Sequence, residues 1–140
     1  MGPTQRKLGT WLLFGLLLIS AQPSYPLSFL DEETEQLMVN AVVAAAELDL
    51  YNARCRSDVS GRRTDNLNKE LVSKFRMTVL KVQDDLFPEG SYRRVQERLQ
   101  RDFLGKLKQA GGCRSAKKQG MPEQLRGRYD ELMREIGALP

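Results

Sequence analysis

The chain has 140 residues, of which 41% are hydrophobic and 29% are charged, and its formal net charge at pH 7 is +4. This length predicts a single domain, and this balance of apolar and charged residues argues against a disordered chain. A weak positive charge, without interleaved aromatic and basic residues, argues against a nucleic-acid partner.

Residues 1–21 have the three parts of a secretory signal peptide. Arg6 and Lys7 give a basic start, residues 8–19 form an apolar run, and a pair of small residues ends at Ala21. The run is shorter than the roughly 20 residues that cross a bilayer, so we predict cleavage after Ala21 and no membrane span afterwards. An uncleaved membrane anchor is the alternative. The cleaved chain would hold 20 basic and 18 acidic residues, a net charge of +2, and would be periplasmic or extracellular.

Cys55 and Cys113 are the two cysteines of the chain. Two cysteines in an exported protein most often form one disulfide bond, so we predict that these two are bonded. A reactive thiol pair is the alternative, because Arg54, Arg56 and Arg114 flank the cysteines and positive charge lowers a thiol pKa. The absence of a Cys-x-x-Cys motif favours the structural disulfide.

The start of the exported chain predicts an extended segment followed by a helix. Residues 22–30 contain two prolines and form the predicted lead-in. Residues 31–53 form the first predicted helix, because four carboxylates cluster at its start, where the helix dipole favours negative charge. Residues 37–50 are apolar on nearly all sides of such a helix, which is typical of a helix that is buried or faces a partner. A homodimer would also cover this helix.

An apolar stripe predicts a central helix over residues 65–86, with Thr64 or Asp65 as its cap. The stripe residues stand three or four positions apart: Leu67, Leu71, Phe75, Val79, Val82 and Leu86. Residues 77–82 are rich in β-branched side chains, which is also typical of a short strand. We favour one helix because the stripe continues on both sides of this segment.

Two further helices complete the predicted bundle. Ser91 is a natural cap for the third helix, which a Gly-Gly pair closes. After one loose turn over residues 114–119, Pro122 stands at the start of the last helix, where proline is tolerated. About four amphipathic helices joined by short loops predict an all-α bundle, a single domain over residues 31–140, tied by one disulfide.

The residue types that are missing exclude several kinds of chemistry. The chain contains no histidine, which excludes an imidazole base, a Ser-His-Asp triad and histidine metal ligands. Two cysteines cannot form a four-thiolate zinc site, and the sequence has no covalent haem motif and no glycine-rich phosphate loop. We therefore expect no metal, no cofactor and no catalytic residue.

Three pairs of adjacent carboxylates are the remaining candidates for catalysis: Glu32-Glu33, Asp84-Asp85 and Asp130-Glu131. Adjacent residues on a helix point about 100° apart, so the two carboxylates of a pair do not form one site without further groups. Solvated helix faces explain these pairs better than a hydrolase or a calcium site does.

Five arginines form the candidate partner-binding surface: Arg62, Arg63, Arg94, Arg98 and Arg101. Arg94, Arg98 and Arg101 are three or four positions apart and so are neighbours on one helix surface. Together with the first two they would suit an acidic protein or anionic lipid head groups. Pairing of the helical arginines with Glu97 and Asp102 is the alternative.

Three classes of function remain open after these exclusions. The favoured one is an exported, non-catalytic helical protein that binds another protein, as an inhibitor, immunity protein or chaperone does. The second is a secreted helical signalling ligand or hormone precursor, for which Arg62-Arg63, Arg93-Arg94 and Lys117-Lys118 would be processing sites. The third is a carboxylate-dependent hydrolase, which would need two opposed acids and one raised pKa.

Overall fold

The computed structural model describes Gly2 and residues 30–140, so the predicted signal peptide and nearly all of the predicted lead-in lie outside the described residues. Within this part of the chain the structure is all helical and contains no strand. Six helices follow one another: α1 Glu32–Cys55, α2 Arg62–Phe75, α3 Val79–Leu86, α4 Tyr92–Gln109, α5 Cys113–Lys118 and α6 Met121–Ala138. None of the described helices is long and apolar enough to cross a membrane.

Helix α1 is the central element of the fold. Asp31 caps its start, because Oδ1 of this residue accepts a hydrogen bond of 2.7 Å from the backbone N–H of Thr34. α1 packs against α2, α3, α4 and α6, and these four neighbours account for the apolar character that the sequence shows on nearly all its sides. Whether a second copy of the chain also covers it stays a prediction.

The prediction of one helix over residues 65–86 is wrong, because α2 and α3 are separate. α2 ends at Phe75, and the next residue, Arg76, has a φ of 57° in the left-handed region. α3 begins after Thr78, whose hydroxyl accepts from the N–H of Lys81, and Asn68 Oδ1 accepts from the N–H of Val79 at 2.9 Å. These two bonds satisfy backbone donors that a continuous helix would have bonded internally. The strand alternative is wrong as well, since α3 contains residues 79–82.

The break changes the backbone but keeps the predicted apolar stripe on the core side. Four stripe residues are buried: Leu67, Leu71, Val79 and Val82. Phe75 and Leu86 are half-buried and pack at the edge of the same core. The stripe therefore identified the buried face of both helices, although it did not show that there were two.

The start of α2 is capped by a residue from another helix. The predicted caps, Thr64 and Asp65, lie inside α2, which begins after Gly61. Asp49 of α1 accepts from the N–H of Arg63 at 3.1 Å and from the N–H of Thr64 at 2.8 Å. One carboxylate thus satisfies two of the first backbone donors of α2 and fixes this helix against α1.

The start of α4 has a similar arrangement. Ser91 does occupy the predicted cap position, but its side chain makes no capping hydrogen bond. Asp84 of α3 instead accepts from the N–H of Tyr92 at 2.6 Å. This bond joins the end of α3 to the start of α4 across the turn that contains Pro88.

The last part of the chain forms two helices. α5 lies where a loose turn over residues 114–119 was expected, and α6 begins with Pro122 in its first turn, as predicted. Arg128 of α6 approaches Glu47 in the second half of α1, whereas Leu132 and Glu135 lie beside the start of α1. α6 therefore runs antiparallel to α1.

Candidate functional site

The disulfide joins the ends of two helices. Cys55 is the last residue of α1 and Cys113 is the first residue of α5, with Cα atoms 5.4 Å apart. The predicted bond is confirmed, and since it uses both cysteines the reactive-thiol alternative is excluded. A small apolar cluster packs beside the bond: Tyr51, Phe103, Leu107 and Ala116.

Two of the five predicted partner-binding arginines have structural partners. Arg63 forms ion pairs with Asp58 at 3.0 Å and with Asp49 at 3.9 Å. Arg98 donates to Glu89 across the α3–α4 turn and lies 3.6 Å from Asp102 on its own helix. The bond from Arg98 is the largest cause of the lowered pKa of Glu89. Arg63 therefore holds the loop before α2, and Arg98 holds the turn before α4.

The other three predicted residues are Arg62, Arg94 and Arg101, which are exposed. In the described part of the chain they form no ion pair. Arg94 and Arg101 share one side of α4 with Arg98, because residues on a helix advance by about 100°. Arg62 stands on α2, and no hydrogen bond or ion pair among the described residues links it to the arginines of α4. Their use as a binding surface stays a prediction.

A cleft opens in the side of the bundle, between α1, α3, α4 and the start of α2; we name it the lateral cleft. Its volume is about 440 Å³, which lies in the usual range of ligand sites. α1 contributes Val42, Ala46 and Leu50 to an apolar lining that Val79 and Leu99 continue. Val42, Val79 and Leu99 are also core residues, so the cleft reaches down to the hydrophobic core.

Side-chain amides make up half of the polar side chains that line the lateral cleft. Gln83 is only 3% exposed, and its Oε1 is 3.5 Å from Nε2 of Gln96, a long contact that leaves both amides with hydrogen-bonding capacity. Gln100 lines the same wall one turn further along α4. The lining also includes Asp49 and Asp65 but contains no lysine or arginine. The cleft is therefore apolar, rich in amides and weakly acidic.

Val59 lies at the edge of the lateral cleft with 83% of its surface exposed. The loop that carries it is held in place by several bonds. Asp58 accepts from the N–H of Ser60 at 3.1 Å and from Arg63, and these two contacts lower the pKa of the Asp58 carboxyl, the bond with Ser60 contributing most. The N–H of Asp58 in turn donates to the carbonyl of Asn52 at the end of α1. A fixed loop thus holds an apolar side chain in solvent beside an apolar cleft.

Sequence reasoning missed the lateral cleft, because its lining comes from four elements and has no common spacing. One signal was available. Val59 is the single apolar residue in the otherwise polar segment 54–63, apart from Cys55 and Gly61. An isolated valine between polar and charged neighbours has no core to join and could have been singled out as a contact residue.

The structure shows an ion cluster around a buried carboxylate, which the sequence did not indicate. The side chain of Glu47 is 6% exposed, and it accepts from Lys106 of α4 and lies 3.5 Å from a guanidinium nitrogen of Arg128 of α6. Burial of a carboxylate is costly without such partners. This cluster joins three helices and has a structural role.

The carboxylate pairs do not form opposed acids in the described chain. Asp84 caps α4 and Asp85 pairs with Lys81 at 2.8 Å. Glu32 and Glu33 lie exposed in the first turn of α1, and Asp130 and Glu131 lie exposed on α6. The carboxyl pKa values of Asp31, Asp58 and Glu89 are lowered, whereas a general acid needs a raised pKa. Within residues 30–140 no cluster of three or more acidic or cysteine side chains is placed to hold a metal ion.

The three dibasic pairs lie inside helices. Arg62-Arg63 begins α2, Arg93-Arg94 lies in the first turn of α4, and Lys117-Lys118 ends α5. A processing protease needs an extended, accessible backbone, and helical hydrogen bonds oppose that conformation. These positions argue against the hormone-precursor alternative.

The fold and the cleft define a disulfide-tied bundle of short helices with an amide-rich opening in its side. No family model, no curated protein and no solved structure matches this chain.

Proposed function

We propose that this chain is an exported, non-catalytic protein that binds a segment of another protein in the lateral cleft, in an inhibitory, immunity-type or chaperone-like role. The observation that carries the proposal is Val59, an exposed valine held by a fixed loop at the edge of a cleft that reaches the core. Exposed apolar groups next to apolar concave surfaces are typical of interaction sites.

Export is supported by two independent features. The sequence pattern of residues 1–21 is that of a secretory signal peptide, and the Cys55–Cys113 disulfide is typical of proteins from oxidising compartments. Both features are consistent with a periplasmic or extracellular location.

The lining of the cleft favours a peptide segment with an apolar anchor and a neutral or basic flank. The amides of Gln83, Gln96 and Gln100 can donate to and accept from a peptide backbone, whose groups must be satisfied when water is displaced. Asp65 brings negative charge to the lining, whereas the carboxylate of Asp49 already pairs with Arg63 and caps α2. An acidic segment would be repelled, so charge complementarity favours the neutral or basic one.

Site-specific photo-crosslinking tests this proposal. A photoreactive amino acid replaces Val59 in the full chain, and the matched control carries it at Leu80, a second exposed apolar residue away from the cleft. We expect one stoichiometric protein crosslink in the native secreted or envelope fraction from position 59 and none from position 80. Equal crosslinking from both positions, or none from either, would contradict a partner in the lateral cleft.

Charge substitutions distinguish binding in the lateral cleft from binding at the exposed arginines of α4. Val59→Asp should weaken capture of the crosslinked partner by about tenfold or more, as loss of an interface anchor does, whereas Leu80→Asp should leave it unchanged. Arg94→Glu/Arg101→Glu tests the sequence-based surface, since both arginines are exposed and lie on the side of α4 opposite Gln96. If only this double variant loses the partner, the binding surface is formed by these arginines and not by the lateral cleft.

A further inference from the structure

A second cleft lies at the disulfide end of the bundle; we name it the disulfide cleft. Its volume is about 380 Å³, and Cys55 and Cys113 line it together with the buried Tyr51. Four exposed cations from three parts of the chain complete the lining: Arg56, Arg114, Lys117 and Arg126. Glu123 is the one carboxylate among its lining residues.

The four cations of the disulfide cleft are not used elsewhere in the described structure. Within residues 30–140, none of the four forms an ion pair or a side-chain hydrogen bond. Arg63 and Arg98, by contrast, are each shared between two carboxylates. Four like charges around one small cleft repel one another, so an anion placed between them would lower the electrostatic energy.

Favourable interaction with helix dipoles explains the positions of only two of the four cations. Arg56 caps the end of α1 and Lys117 lies in the last turn of α5, where cations are favoured. Arg114 is the second residue of α5 and Arg126 lies in the second turn of α6, so neither stands at the negative end of a helix. These two arginines need another reason for facing the cleft.

The disulfide fixes the two halves of the cluster relative to each other. Arg56 and Arg114 directly follow Cys55 and Cys113, whose Cα atoms are 5.4 Å apart. The covalent bond therefore keeps one cation from the end of α1 close to one from the start of α5. Such preorganisation reduces the cost of ordering the side chains around a ligand.

We propose that the disulfide cleft binds a phosphate-type oxyanion. Guanidinium groups present a planar fork of donors that matches the oxygens of a phosphate in two-point contacts, and three of the four cations are arginines. The oxyanion belongs either to a free polyphosphate-like molecule or to the head group of an anionic lipid, since the chemistry of recognition is the same. This site does not depend on the lateral cleft or on a protein partner.

Titration calorimetry and vesicle binding test the proposal and separate the two sources. The full chain without its signal segment is titrated with inorganic pyrophosphate, and in parallel is sedimented with phosphatidylcholine vesicles with and without phosphatidylglycerol. We expect saturable binding to pyrophosphate if the ligand is free, or sedimentation only with phosphatidylglycerol vesicles if it is a lipid. Binding in neither arm overturns the proposal.

A pair of double variants locates the site. Arg114→Gln/Arg126→Gln should weaken binding by about tenfold or more, because it removes charge-assisted hydrogen bonds. The control Lys69→Gln/Arg134→Gln removes the same charge from exposed residues outside the cleft and should change the affinity less than about twofold. Circular dichroism confirms that both variants are folded. Equal losses in the two variants would mean attraction to general positive charge and would overturn the assigned site.

Discussion

Glu47 is the residue at which the cost of burial and the gain from pairing are most directly opposed. Its carboxylate is almost fully buried, whereas the side chains of its partners, Lys106 and Arg128, are about half exposed. The partners can return to water if the carboxylate is removed, but the carboxylate cannot do so if the partners are removed. The consequences of substitution should therefore be asymmetric.

The first prediction concerns this asymmetry. Glu47→Gln should lower the free energy of unfolding by about 1.5–3 kcal/mol, the range for a lost hydrogen bond to a charged group. Lys106→Met/Arg128→Met should cost more than Glu47→Gln, because it strands the buried charge. Urea unfolding followed by circular dichroism measures both, with Glu97→Gln on the exposed face of α4 as a control near zero. A double variant no more costly than Glu47→Gln would contradict the asymmetry.

The second prediction concerns acid stability. The pKa of Glu89 is lowered from 4.5, chiefly by its hydrogen bond with Arg98, and that of Asp58 is lowered from 3.8, chiefly by Ser60 and then Arg63. A lowered folded-state pKa contributes stability above the unfolded-state pKa that is lost as the pH falls through the folded-state value. The urea midpoint should therefore decrease as the pH drops below about 4.5.

The variant Glu89→Gln supplies the check on this pH dependence. It removes one of the carboxyls whose pKa is lowered, so its urea midpoint should fall less steeply between neutral and acid pH than that of the parent chain. Glu131→Gln, an exposed residue of α6, should leave the slope unchanged. Parallel pH profiles for the parent chain and Glu89→Gln would mean that the pairing with Arg98 does not affect the proton equilibrium.

At the scale of elements, a single left-handed backbone conformation separates α2 from α3. Arg76, the residue after α2, adopts the left-handed conformation with φ 57°, and its N–H donates to the carbonyl of Val72. A residue with a side chain pays an energetic penalty there that glycine avoids. The sequence offers no glycine at this position, which is why it predicted a continuous helix.

The third prediction follows from this conformation. Arg76→Gly should stabilise the chain by about 0.5–1 kcal/mol, since the relief of the left-handed strain exceeds the added entropy of the unfolded chain. The control Ser73→Gly lies on an exposed position inside α2 and should destabilise by about 0.5 kcal/mol, because glycine is a poor helix former. Thermal unfolding gives both values. Destabilisation by Arg76→Gly would show that the arginine side chain has contacts worth more than the strain.

The sequence could predict those elements whose signals are local. The three longest helices are patterns within short windows, and the disulfide followed because there were only two cysteines to join. The caps of α2 and α4 could not be predicted, because they come from other helices. Asp49 lies 14 positions before the N–H that it accepts from in α2, and Asp84 lies 8 positions before the one in α4. The lateral cleft was missed for the same reason, because Val59, Gln83 and Gln96 meet only through packing of separate helices.

At the scale of the whole molecule, charge is separated along the bundle. α1 has 24 residues and so is about 36 Å long. Its acidic start, where Glu135 of α6 also lies, is opposite in sign to its end beside the disulfide cleft. This distance exceeds the screening length of about 10 Å at 0.1 M salt, so the two ends act independently. Such a charge distribution would turn the basic end towards an anionic ligand or surface.

The disulfide also acts on the whole molecule, because it restricts the unfolded chain more than the folded one. Cys55 and Cys113 are 58 positions apart, and loop entropy alone assigns about 4 kcal/mol to such a bond. The fourth prediction is that reduction lowers the free energy of unfolding by up to about this amount. The folded helices should remain, since α1 and α5 also pack through the cluster around Tyr51.

Comparison of reduction with substitution separates the entropy of the loop from the packing of the sulfur atoms. Reduction opens the loop but keeps both sulfurs, whereas Cys55→Ser/Cys113→Ser opens the loop and also places hydroxyls beside Phe103 and Ala116. If loop entropy dominates, both forms should show the same drop in urea midpoint. If the apolar cluster at this end contributes as well, the serine variant should be less stable than the reduced chain by about 1–2 kcal/mol. A reduced chain as stable as the oxidised one would mean that the unfolded state is already compact enough to bring the two cysteines together.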